Sequence, residues 1–508
     1  MVRSAFAMGF VLFASSALAT EPLTIEANSS DAFVFKKTAL GFNCNMMRTP
    51  YQHNHPGFIQ AYRDSGAHFI RFPGGTVANL FNWRTGMLQE YPGIDQALLN
   101  RLKGLNKNLE NIGGLRTENF LDFVRKTSSD FSVVLNIHSL SPEDNKAWLQ
   151  QMHDAGIAVK CIELGNELYL KANRQRYPTV ESYIEASKQY AQAAREVFPQ
   201  AKIGIVTSHI GYHLDNAVSE EEGEERLKQD DREQLEWNRK IAEESFYDAC
   251  VVHLYTYVGT SAKPSVAEAY VRALSSSDAM FDKAMGYFRN LFPGREVWVT
   301  EWNLSGFSAK GREDSQHHGT HANALFIADF QMKMLLSNLA DMGALHNLPN
   351  LLEPDTGTYA DYKVYPDDKP LKKTLCFLPI EILGEPVGKS ERLAPLKMGG
   401  VKTFKGALQY AARDCPEATG GCFFGADAAY LLVINRMANA YVLGDVKIDG
   451  QRVSGGGWQR VLTADALEAR EVGEGAGQAH LTQESFADIT NLKIGPYSVN
   501  LIAIPRNL

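Results

Sequence analysis

Two short strings carry residues able to do acid–base chemistry. Ile162-Glu163-Leu164-Gly165-Asn166-Glu167 and Trp298-Val299-Thr300-Glu301-Trp302-Asn303 each place a carboxyl group directly after a short apolar, strand-like run. Breaking a glycosidic bond takes such a pair, one group donating a proton and the other acting as nucleophile or base. Asn166 beside the first acid suits a sugar hydroxyl. Trp302 beside the second suits stacking on a sugar ring. Glu163 lies inside its apolar run rather than past its end, which makes Glu167 the better acid.

These side chains need elements to position them. Eight short apolar runs recur over more than 300 residues: Ala39–Phe42, His68–Phe72, Ser132–Ile137, Lys160–Leu164, Lys202–Val206, Ala249–Leu254, Glu296–Thr300 and Ala344–Leu348. Helix-patterned segments separate them. In Val180–Val197, for example, Tyr183, Ala186, Tyr190, Ala193 and Ala194 fall at helical spacing, with Pro178-Thr179 before and Pro199 after. Eightfold strand–helix alternation predicts an α/β fold, a (β/α)8 barrel. Polar residues follow every run: Asn43 and Asn45; Arg71, Gly74, Gly75 and Asn79; His138; Asn166 and Glu167; His209; His253 and Tyr255; Glu301 and Trp302; His346 and Asn347. The C-terminal ends of barrel strands are where active sites form.

Past about residue 387 the pattern changes. Ala429–Asn435, Tyr441–Leu443, Val446–Ile448 and Tyr497–Ile504 are strand-like, with turns at Asp449-Gly450 and Ser454–Gly457. This predicts a C-terminal antiparallel β-sandwich, joined by the strand-like Leu23–Phe35. The expected division is a barrel over 36–386 and a sandwich from 20–35 with 387–508. Ser219–Glu244 is heavily charged and reads as a solvated helical excursion, from which Trp237 could wall the cleft.

Residues 1–19 read as a secretory signal peptide: Arg3, an apolar run from Ala5 to Phe13, then Ala17-Leu18-Ala19. The run is too short for a membrane span. Secretion or periplasmic export is therefore expected, and no later stretch is long enough to be a span. Loss of Arg3 would take the formal charge from −8 to −9. That argues against nucleic acid or a highly anionic polymer as the main ligand, while leaving room for local basic patches. Six Cys in 508 residues make no disulfide scaffold, although Cys415 and Cys422 could close a loop in an oxidising compartment. No CxxC or HExxH spacing points to a metal, and no cofactor is implied.

The chain resembles the large clan of retaining glycoside hydrolases built on a (β/α)8 barrel. Gly165-Asn166-Glu167 matches its acid/base signature on strand four, and Thr300-Glu301-Trp302-Asn303 its nucleophile on strand seven. Arg71-Phe72-Pro73-Gly74-Gly75, with Asn79 and Trp83, is similar to the second-strand motif of the α-L-arabinofuranosidase family. His253-Leu254-Tyr255 is similar to the sixth-strand motif whose Tyr contacts the nucleophile.

The resemblance implies Glu167 as acid/base, Glu301 as nucleophile, Arg71 holding Glu301 ionised, and Asn166 on the sugar 2-hydroxyl. His253, Tyr255, Trp302, Asn45, Gly74 and Gly75 would bind or support, the glycine pair by a tight turn. His138, His209, His213, His317, His318 and His346 are left at most subsite roles. The implied substrate is a poly- or oligosaccharide, leaning to α-L-arabinofuranosides. β-Xylosidase, β-glucuronidase or heparanase-like, and endo-glucanase activities belong to the same clan. Thr76-Val77-Ala78 after the glycine pair, and Leu168-Tyr169 after the acid, depart from the family pattern. A non-catalytic carbohydrate-binding protein is the alternative from another class, and the joint presence of Arg71 and both acids opposes it.

Overall fold

The computed structural model describes residues 21–208, 229–257, 265–305, 318–406 and 414–506. The predicted signal peptide, His209, His213, His317 and the Ser219–Lys228 part of the charged excursion lie outside these residues.

All eight apolar runs form the strands of one closed parallel barrel. They are β1 (Gly41–Asn43), β2 (Phe69–Phe72), β3 (Asp130–Val134), β4 (Cys161–Leu164), β5 (Lys202–Val206), β6 (Ala249–Tyr257), β7 (Glu296–Ser305) and β8 (Met342–Leu345). Phe69, Cys161, Ala249, Val251, Trp298, Met342 and Ala344 form one buried apolar cluster. Strands β2, β4 and β6 are not neighbours, so contact among their side chains runs through the barrel interior. Gly204 makes room there, since a Cβ on it would lie 2.6 Å from the Trp298 ring.

Side chains alternate along a strand. Two positions above Phe69 the inward residue is Arg71; above Cys161 it is Glu163; above Val251 it is His253. On β7 the alternation breaks. Val252 pairs with Val299 but His253 pairs with Glu301, so β7 carries one extra residue against β6. This bulge lets both Thr300 and Glu301 face inward and turns Trp302 outward.

Helix Val180–Val197 forms as read, with Thr179 capping its start, and buries Tyr183, Ile184, Tyr190 and Ala194. Helix His321–Ser337 is buried on nearly every side. It sits between the barrel and the C-terminal sheets, where its Asp329 accepts from Thr419 at 2.7 Å and from the fully buried Arg436 at 3.2 Å. Among the described residues two of those sheets are large, beside a two-stranded pair of Thr403–Lys405 with Asp414–Pro416. One has seven strands and runs Phe33–Val34, Ser390–Pro395, Ala418–Gly425, Ala428–Asn435, Ser498–Pro505, Gly457–Ala464, Ala479–Phe486. The other centres on Glu21–Ala27 and Tyr441–Ile448, paired in parallel, so the sandwich is not wholly antiparallel. Asp449 and Gly450 both take positive φ at the hairpin that follows, the geometry of a tight two-residue turn.

All six cysteines are buried and none is in a disulfide. Cys415 and Cys422 belong to separate apolar clusters, so the structure does not join them. Trp237 does not wall a cleft: it is 3% exposed, stacks on Tyr183 at 5.1 Å, and donates to the Val206 carbonyl at 3.0 Å. No described helix is long and apolar enough to cross a membrane.

Candidate active site

Arg71 is the hub. Its side chain is wholly buried, and its Nε donates to Glu163 at 2.8 Å, its Nη1 to Glu301 at 2.7 Å and its Nη2 to Asn166 Oδ1 at 2.9 Å. One guanidinium thus ties β2 to the ends of β4 and β7. Its planar fork suits several carboxylate and carbonyl oxygens at fixed angles, which a lysine ammonium does not. Glu163 is completed by Ser132 at 2.6 Å and Thr300 at 3.3 Å. It is therefore a buried partner of Arg71 inside the barrel, away from the rim.

Glu301 accepts three hydrogen bonds. Besides Arg71, Asn43 Nδ2 reaches Oε1 at 3.0 Å and the Tyr255 hydroxyl reaches Oε2 at 2.6 Å. His253 Nδ1 lies 3.6 Å from Oε2. Burial alone would raise this carboxyl group. The positive forms of His253 and His346, the Arg71 guanidinium and the Tyr255 hydroxyl outweigh burial and hold it well below its usual range. Burial pushes His346 down toward its neutral form, whereas Arg71, 2.7 Å from Glu301, is a permanent cation. Burial, reinforced by the Glu301 and Glu167 carboxylates, pushes Tyr255 well up, which keeps its hydroxyl a donor.

Glu167 sits where the chain leaves β4. Gly165 has φ +86°, and a Cβ there would lie 2.7 Å from Leu168 and 2.9 Å from Ile137, so glycine is required. Asn79 clamps the next residue, accepting from the Asn166 N–H at 2.8 Å and donating to its carbonyl at 2.8 Å. Glu167 itself takes φ +49°, a left-handed conformation that costs a non-glycine residue roughly 1–3 kcal/mol and persists where the surroundings impose it. Its side chain is 14% exposed and meets His253 Nδ1 at 3.0 Å.

Glu167, His253 and Glu301 present acceptor atoms within 4.8 Å of one another. The same trio could face a cation, but Arg71 already supplies positive charge to Glu301. The carboxyl groups are close enough for attack and protonation on one sugar. Retaining glycosidases hold theirs about 5–5.5 Å apart, and inverting ones roughly 6.5–9.5 Å.

The structure brings Arg71, Asn166, Glu167, His253, Tyr255 and Glu301 together. Gly74 and Gly75, at φ +69° and +70°, turn beneath them, and Cβ atoms there would lie 1.8 Å from Asn43 Oδ1 and 2.7 Å from Asn45 Nδ2. Asn45 stands at the rim, exchanging backbone and side-chain hydrogen bonds with Asn347 at 2.8 and 2.9 Å. Trp302 is the correction. It is wholly buried and stacks on Phe330 of helix His321–Ser337 at 4.8 Å, because the β7 bulge turns it out of the barrel. It offers no face to a sugar.

Asn43 was legible only as a polar residue after the first apolar run, yet it touches Glu301 directly. Its Nδ2 also lies 2.9 Å from His346 Nδ1. Among the other histidines, His138 is buried between Tyr91 and Tyr177, and burial lowers it to about 4. His318 contributes its carbonyl to Arg470.

By sequence, no family model and no curated protein matches the chain. By structure it is similar to solved glycoside hydrolases over nearly its whole length. An α-L-arabinofuranosidase from Thermotoga maritima, solved with arabinose, superposes with a TM-score of 0.67 at 14% identity, covering 96% of this chain and 100% of that one. A family 51 arabinofuranosidase from Xanthomonas axonopodis pv. citri gives 0.66 at 15% identity, with 96% and 100% coverage. A family 44 xyloglucanase from Paenibacillus polymyxa gives 0.60 at 11% identity, again with 96% and 100% coverage. The chain has the barrel-and-sandwich fold of these enzymes.

Proposed function

We propose that the protein is a retaining glycoside hydrolase, with Glu301 as nucleophile and Glu167 as acid/base. The observation that carries this reading is the pair itself. Two carboxyl groups, one just past β4 and one within β7, lie within 4.8 Å in unequal surroundings. Glu301 is nine-tenths or more buried and gripped by Arg71, Asn43 and Tyr255, as an ionised nucleophile requires. Glu167 is more open and has fewer donors.

In the first step the Glu301 carboxylate attacks the anomeric carbon. The C–O bond to the leaving group breaks as the Glu167 carboxylic acid gives that oxygen its proton. In the second step the Glu167 carboxylate takes a proton from water, the water oxygen attacks the anomeric carbon, and Glu301 departs with the sugar configuration retained. Asn166 Nδ2 is buried without a hydrogen-bond partner. It is the donor we assign to the sugar 2-hydroxyl.

The second-strand motif makes α-L-arabinofuranosides the first sugars to test, and residues 1–19 support export from the cell. A panel of aryl arabinofuranosides, xylosides, glucosides and glucuronides identifies a substrate. A matching 2-deoxy-2-fluoro glycoside should then label Glu301, as peptide mass mapping reads. A label on another residue, or an inverted first product by early-time NMR, overturns the reading.

A further inference from the structure

Glu167 holds its left-handed conformation on a short loop, and part of what fixes that loop lies outside the catalytic cluster. The Glu167 carbonyl accepts two hydrogen bonds, from the Leu170 N–H at 3.1 Å and from Asn173 Nδ2 at 3.0 Å. Asn173 is buried. Its neighbour Arg174 donates from Nε to the Tyr169 carbonyl at 2.6 Å and from Nη1 to Glu233 Oε2 at 2.6 Å. One guanidinium therefore joins the loop to helix Gln229–Ala242, which belongs to the charged excursion after β5.

That helix is itself anchored. Asn238 clamps Ser208, just past β5, accepting from its N–H at 2.7 Å and donating to its carbonyl at 3.0 Å. Asn79 grips Asn166 in the same way. The Ser208 hydroxyl donates to Gln234 at 2.9 Å, and Trp237 donates to the Val206 carbonyl. A chain of contacts thus runs from the end of β5 through Glu233, Arg174 and Asn173 to the backbone of Glu167.

We infer that Asn173 and the Arg174–Glu233 pair are positioning residues for the acid/base group, and that the charged helix is its support. The inference rests on the reading of Glu167 as that group. Magnitudes separate this role from plain stabilisation. The Arg174 and Glu233 side chains are 19% and 37% exposed, and an ion pair so open to water adds little to folding. Catalysis is less forgiving, since misplacing a group by about 1 Å can cost about 10²-fold. Cutting the link should therefore leave the fold in place and slow the step in which Glu167 protonates the leaving oxygen.

Aryl glycosides of the sugar that the panel selects, with phenol and 2,4-dinitrophenol as leaving groups, test it. kcat/KM reports transfer of the sugar to Glu301, and protonation matters most there for the poorer leaving group. Arg174→Met and Glu233→Ala should each lower kcat/KM at least about tenfold on the phenyl glycoside and less than about twofold on the dinitrophenyl one. Together they should cost little more than either alone, because both cut one link. Asn173→Ala should show the same selective loss. Thermal melting should confirm that the two outer variants are folded. An equal loss on both glycosides, or no loss on either, in Arg174→Met and Glu233→Ala overturns the inference. Glu167→Ala separates the two conclusions: if its own loss is equal on both glycosides, the acid/base reading fails, and the link falls with it.

Discussion

Replacing Arg71 by methionine removes a cation from between two inward carboxyl groups while nearly preserving side-chain length. The guanidinium and its partners are between 0% and 5% exposed. Leaving buried charges without their partner costs roughly 3–5 kcal/mol. Arg71→Met should lose stability on that scale in urea titrations. It should also lose activity by about 10²–10³-fold, as removal of a positioned electrostatic group does.

The pH dependence distinguishes the two effects. Glu301 is held below its ordinary value of 4.5, so its contribution to stability is present above that value and is lost as pH falls through the depressed one. The variant relieves the depression. The stability gap between wild type and variant should therefore be widest above about pH 4.5 and narrow toward acid. The acid limb of kcat/KM should move to higher pH. Adding Glu163→Gln removes the second stranded carboxyl group. It should restore part of the stability, by at least about 1 kcal/mol of coupling, without restoring activity, because Glu301 still lacks its counter-charge. An unmoved acid limb in Arg71→Met, or full activity in the double variant, would refute the assignment of Arg71 to Glu301.

On an aryl glycoside with a very good leaving group, Glu167→Ala should release a burst of phenol and stall, and azide should restore turnover. Acid/base loss costs about 10²–10⁴-fold on ordinary substrates. Glu301→Ala should show no burst; the opposite pattern reverses the two roles. Trp302→Ala should cost roughly 3–5 kcal/mol in denaturant titrations with KM within about twofold of wild type, since the indole packs on Phe330; a large KM change at unchanged stability would place it in the cleft. Asn79→Ala removes both hydrogen bonds to the Asn166 backbone and should cost roughly 1–3 kcal/mol. Asn79 acts by positioning, so kcat should fall with no displacement of the pH profile, and a displaced profile would contradict that role.

The barrel was legible because its strands are buried on both faces and read as continuous apolar runs. Closure of the ring then brings residues far apart in sequence to one rim, which is why Glu167 and Glu301 could be picked as a pair. What alternation could not supply was the bulge. Strict period two places Trp298, Thr300 and Trp302 on one face and Glu301 on the other, which would aim the indole at the sugar and the carboxyl group at helix His321–Ser337. One extra residue against β6 exchanges them. Glu163 was hidden for a different reason: its partner Arg71 lies on another strand and is reached only across the closed interior. The arrangement of Arg71 between Glu163 and Glu301 also has an electrostatic consequence. Below the anomeric carbon Arg71 faces the Glu301 carboxylate, the negative charge nearest that carbon. Glycoside cleavage passes through an oxocarbenium-like transition state, in which positive charge develops at that carbon. The ion group that ties β2 to β4 and β7 thus also favours the charge the reaction creates, in a buried setting where such interactions are strong.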